Sequence, residues 1–99
     1  MHTIFEYQGT PSSESLEQLI LNKMERLKAK YDGIIRAFVF LQYRPDHPKA
    51  GKICKIRLSL PGPLLFAEAN TDSFDTSYHE VIHELDAQLR KRKEKLKDL

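Results

Sequence analysis

The feature that most constrains this chain is the way its apolar residues change spacing along the sequence. Thr3, Phe5 and Tyr7 alternate with His2, Glu6 and Gln8, the period of two that marks a strand. Leu16, Ile20, Met24, Leu27 and Tyr31 then recur at steps of three and four, one apolar stripe on a helix from Glu14 to about Tyr31. Alternation returns over Ile35–Tyr43, Lys52–Leu60 and Leu64–Ala69. Finally Phe74, Tyr78, Val81, Ile82, Leu85 and Leu89 line one face of a helix running towards Lys95. The punctuation agrees with these spans. Gly9 to Ser13 and Asn70 to Ser73 are loops that end in helix N-cap chemistry. Asp32-Gly33 stops the first helix, with Gly33 predicted at the left-handed C′ position. Arg44 to Gly51, with Pro45 and Pro48, is a connecting loop, and Pro61-Gly62-Pro63 is a tight turn.

The predicted order is therefore β-α-β-β-β-α. A helix between the first two strands implies a crossover joining parallel neighbours, whereas the short later connections imply an antiparallel meander. Both helices carry an apolar stripe, so both are expected on one face of a four-stranded mixed sheet: a two-layer α+β fold. At 99 residues the chain has room for one core, and residues 1–99 are expected to form a single domain. The opposite face of the sheet would show Phe38, Phe40, Ile53, Leu64 and Phe66 beside Arg36, Lys55 and Arg57.

Charge is distributed in blocks. Net charge is +2 overall, but residues 36–65 carry +5, residues 66–89 carry −6 without a single Lys or Arg, and residues 90–99 carry +4. A basic sheet region and a basic tail together suit a polyanion, while the acidic block confines any such contact to one side. The bland alternative for the tail is a solvated helix end whose cations complement the macrodipole. No apolar run approaches a membrane span, and the first residues lack the features of a secretory signal. The single cysteine, Cys54, leaves no pair for an internal disulfide and fits a reducing cytosol. It falls on the predicted core face, which suits a small hydrophobe better than a nucleophile.

One short motif points elsewhere. His79-Glu80-Val81-Ile82-His83 matches HExxH, in which two histidines one helical turn apart bind zinc and the Glu serves as general base. A catalytic zinc needs a third protein ligand, and only His2, His47, Cys54 or an upstream carboxylate remains to supply it. At about 100° per residue, both histidines lie roughly 120° from the centre of the apolar stripe, on the solvent side. Exposed helix histidines are the favoured reading, with no metal and no cofactor expected. Zinc-dependent hydrolysis through His79, His83 and Glu80 is the alternative.

Several stretches carry a likeness. Leu85-Asp86-Ala87-Gln88-Leu89-Arg90-Lys91-Arg92-Lys93-Glu94-Lys95, the helix-one run Lys23-Met24-Glu25-Arg26-Leu27-Lys28 before Tyr31-Asp32, and Leu60-Pro61-Gly62-Pro63 followed by Ala67 and Ala69 occur in a telling order. Together they resemble the ribosome hibernation-promoting factor family, also known as ribosome-associated inhibitor A or sigma-factor modulation proteins, in its short form. The resemblance implies a non-enzymatic cytoplasmic factor that binds the small ribosomal subunit and its rRNA and inhibits translation during stress or stationary phase. It further implies RNA contacts from Lys23 and Arg26 on helix one and from Gln88, Arg90, Lys91, Lys93 and Lys95 on helix two. Arg36, Lys55 and Arg57 are additional candidates on the sheet. A third reading is an interaction module that forms a homodimer through Phe38, Phe40, Leu64 and Phe66.

Overall fold

A computed structural model describes residues 1–46 and 50–97. The chain folds as β1 (His2–Gln8), α1 (Glu14–Lys30), β2 (Arg36–Tyr43), β3 (Lys52–Ser59), β4 (Leu64–Thr71) and α2 (Phe74–Lys97). The sheet order is β1-β2-β3-β4. Strands β1 and β2 are parallel, and β2, β3 and β4 run antiparallel in turn. This is the two-layer α+β architecture expected from the spacing.

The register explains why one face became the core. Phe5, Val39, Ile56 and Ala67 are Cα partners across the four strands, as are Tyr7, Leu41, Cys54 and Ala69 one step along. Because side chains alternate with a period of two, these rows all point to the same side. There they meet Ile20, Met24 and Leu27 of α1 and Tyr78, Val81, Leu85 and Leu89 of α2 in one buried cluster. Helix α2 packs on β3 and β4, and Tyr7 on β1 anchors the start of α1.

Local chemistry sets the helix ends. The Ser13 hydroxyl accepts the Leu16 amide at 3.2 Å, and the Tyr7 hydroxyl accepts the Ser13 amide while donating to Glu17 Oε2 at 2.7 Å. Ser73 caps α2 in the same manner by accepting the Thr76 amide. Ser77 in the next turn is fully buried yet satisfied: its hydroxyl donates to the Lys52 carbonyl and bonds Thr71 Oγ1. The C-terminus of α1 departs from expectation. Its cap is Tyr31 in extended conformation (φ −130°, ψ 119°), and Gly33, with φ +96°, lies two residues beyond rather than at C′. The extended backbone carries the Tyr31 hydroxyl to α2, where it bonds Asp86.

Other boundaries shift slightly. Strand β2 begins at Arg36 rather than Ile35, and β4 continues through Asn70 and Thr71, which pair with Ile53 and Lys52. Asn70 Oδ1 also accepts the Gly51 amide at 2.6 Å, holding the returning loop beside Ile53. Ile53 lies on the sheet's outer face as predicted but is only 4% exposed, so it does not belong to the open surface. Pro48, assigned to the preceding loop, lies outside the described residues.

Candidate nucleic-acid interface

Three cations of α1 share a flank. At about 100° per residue, Lys23, Arg26 and Lys30 all fall to one side of the buried stripe, roughly 60° to 120° from its centre. That flank faces α2, because Lys30 Nζ donates to both Asp86 oxygens at 2.9 and 3.1 Å. On α2, Arg90, Lys93 and Lys97 share the Asp86 flank by the same geometry. The two basic flanks meet over one ring: Lys30 Nζ and Lys93 Nζ lie 5.4 and 5.9 Å from the Tyr31 centroid. Tyr31 donates to Asp86 Oδ1 at 2.5 Å, which fixes the joint between the helices.

The electrostatics follow from those contacts. The Tyr31 hydroxyl, and then the Lys30 ammonium, hold the Asp86 carboxyl below its ordinary range. The same bond raises the pKa of Lys30, with nearby Arg90 opposing, and the bond to Asp86 together with burial raises that of Tyr31. One carboxylate thus lies inside a group of cations and ties the end of α1 to the middle of α2 without neutralising them all.

The remaining residues predicted on α2 point elsewhere. Gln88, Lys91 and Lys95 lie on the opposite flank, towards the edge of the sheet. Gln88 Nε2 donates to the Phe66 carbonyl at 2.9 Å and so covers the free edge of β4. Lys91 and Lys95 border a groove floored by Pro63, Leu65 and Leu96. Arg92 is tied down, donating to the Pro61 carbonyl at 3.1 Å. Arg36, Lys55 and Arg57 stand on the outer face of the sheet, away from the helices. The predicted cations therefore occupy three places: the furrow between the helices, the β4 edge and the outer face.

His79 and His83 are exposed on α2. The His79 ring stacks on Tyr78, and its Nδ1 lies 2.7 Å from the Asp75 carbonyl. Among the described residues no three His, Cys, Asp or Glu side chains form a metal-binding group. His47, one candidate for the third ligand, lies outside those residues. Cys54 is fully buried on the core face, and burial pushes its thiol pKa up to about 12, so it holds its proton at neutral pH.

Comparison with known proteins decides the family. The sequence pattern of the sigma 54 modulation protein / S30EA ribosomal protein family matches residues 4–97. The chain belongs to that family. Membership places it among ribosome-associated modulation proteins. A ribosomal subunit interface protein from Coxiella burnetii is 27% identical, with a TM-score of 0.83 over 94% of this chain and 98% of that one. The N-terminal domain of Thermus thermophilus Protein Y shares the fold, with a TM-score of 0.77 at 20% identity over 92% and 98% of the two chains. No curated protein sequence matches significantly. Within this S30EA-family domain, sequence reasoning missed Lys30 and its partners Tyr31 and Asp86 as parts of the basic furrow. A signal existed: Lys30 follows Lys23 by seven residues and Arg26 by four, the spacing of one helix face.

Proposed function

We propose that this chain binds the small ribosomal subunit through its rRNA and, by occupying it, inhibits translation in stressed or stationary-phase cells as a non-enzymatic cytoplasmic factor. The observation that carries this reading is the meeting of two basic helix flanks across Tyr31, with Lys30 and Lys93 over the same ring. Structured RNA is recognised largely through phosphates, 2′-hydroxyls and shape, so cations on a rigid scaffold suit it without any catalytic group. Lys23, Arg26, Arg90 and Lys93 form the principal contact row. Lys91 and Lys95, beside the β4 edge, form a second, and Gln88 serves mainly to position that helix. Family membership and the named Coxiella relative support the ribosome as the partner.

Co-sedimentation with purified small subunits between about 50 and 200 mM salt tests the reading. Binding should weaken steeply with salt, and each Lys→Gln or Arg→Gln change in the furrow should flatten the log–log slope by about one. A chain that stays in the supernatant at every salt concentration would remove the proposal. So would one that pellets yet leaves in vitro translation untouched.

A further inference from the structure

The helices cover one face of the sheet and leave the other open. One row there crosses all four strands: Ile4, Phe38, Arg57 and Phe66 are Cα partners. Phe66 at the β4 edge is 50% exposed. The Arg57 guanidinium lies 4.6 Å from the Phe38 centroid, Arg36 lies 5.9 Å from the same ring, and Lys55 lies 5.6 Å from that of Phe40. Phe38, Phe40, Lys55, Arg57 and Phe66 line a shallow depression of about 320 Å³, with Glu6 in its wall. Among the described residues, none of these three cations is held in an ion pair. Their charge remains available to a partner.

Aromatic rings interleaved with unpaired cations suit one chemistry in particular. Splayed bases stack on rings and on guanidinium planes, while lysines and arginines meet the phosphates between them. A duplex keeps its base faces stacked inside and offers none to such a surface. A second copy of this chain would set two faces of net positive charge on one another, Arg36, Lys55 and Arg57 outnumbering Glu6 and Glu68, which opposes pairing. Glu6 and Glu68 share the Phe40–Lys55 row at its two ends. They favour the neighbouring Phe38–Arg57–Phe66 row for a polyanion.

We infer that this face is a platform for an unpaired stretch of RNA, one base stacking on Phe66 and another on the Arg57–Phe38 pair, with Arg36 and Lys55 on phosphates. The inference rests on the rRNA reading for its class of partner and adds a second, opposite surface with a different recognition chemistry.

The test is fluorescence anisotropy of the full chain with an unstructured single-stranded RNA of about 12 nucleotides and with a duplex of equal length. Phe66→Ala should weaken single-strand binding about fivefold or more, Phe66→Leu nearly as much, and Arg57→Gln similarly, with duplex affinity little changed. Phe66 is half exposed, so its variants should keep the fold, which circular dichroism would check. Unchanged single-strand affinity in these variants, with loss in a Lys23→Gln/Arg26→Gln variant, would overturn the platform and leave the helical reading standing. A chain that pellets with small subunits but ignores the single strand would do the same. Concentration-dependent dimers dissolved by Phe66→Ala would reassign the face to self-association. Failure of the wild-type chain to pellet with small subunits would instead strike the rRNA reading, whatever the oligonucleotide does.

Discussion

Gly9 shows how a single position can hold the sheet together. It follows β1 with φ +72°, and a Cβ there would sit 2.6 Å from the Tyr43 carbonyl oxygen at the end of β2. Neither problem can relax cheaply, because the obstacle is backbone. Gly9→Ala should therefore destabilise the fold by about 2 kcal/mol or more. The denaturant midpoint should fall with little change in slope. A midpoint within error of wild type would show that β1 can move away from β2 there. Gly62 is a milder case, since its φ of +101° suits the Pro-Gly turn but nothing lies within reach of an added Cβ. The identities of both turn glycines were visible in the sequence. The close approach at Gly9 was not, because it depends on where a residue 34 positions away ends its strand.

At the scale of elements, the joint between the helices is the feature with the clearest consequence. Asp86 is held below its ordinary pKa by Tyr31 and Lys30, so its contribution is fully present above the unfolded carboxylate value near 4 and is lost as pH falls through the lowered folded value. Asp86→Ala should cost roughly 1 kcal/mol at neutral pH, a modest figure because the site is partly solvated. The melting temperature should drop by about 4–8 °C. Melts recorded from pH 7 to pH 3 should show the gap between variant and wild type closing as the pH falls. A gap constant across that range would mean the carboxylate charge contributes nothing to docking. The helices themselves were legible from the stripes Leu16 to Tyr31 and Phe74 to Leu89, and four strands from their alternation. The end of α1 was less so: Gly33 looked like the C′ residue, yet the helix caps one residue earlier, at Tyr31, whose hydroxyl bonds Asp86.

Across the whole molecule, the long axis is 47 Å and the others 23 and 19 Å. Helix α2, about 36 Å long at 1.5 Å per residue, outruns strands of about 27 Å, so its exposed end from Lys93 to Lys97 reaches past the sheet. The acidic block occupies the other half of α2 and the end of β4, which makes the domain electrically lopsided along its length. The HExxH stretch lies in that acidic half, away from the basic end. A His79→Ala/His83→Ala variant should accordingly retain small-subunit co-sedimentation and change stability by less than about 0.5 kcal/mol. Loss of binding in that variant, or zinc retained by wild type alone in elemental analysis, would return the motif to a functional role.

The amino-acid sequence by itself determined the element order, the two-layer arrangement and the identity of the core, because each follows from local spacing: a period of two or 3.6 says which side of an element must leave water. It also supplied the cations. Only the tertiary structure decided how they are grouped. Lys30 and Lys93 come to flank one tyrosine, Lys91 and Lys95 turn to the sheet edge, and Arg36, Lys55 and Arg57 are carried to the far face. Spacing can gather charges on one flank of a helix, as at Lys23, Arg26 and Lys30, but which charges of other elements they meet is set by how the apolar faces dock.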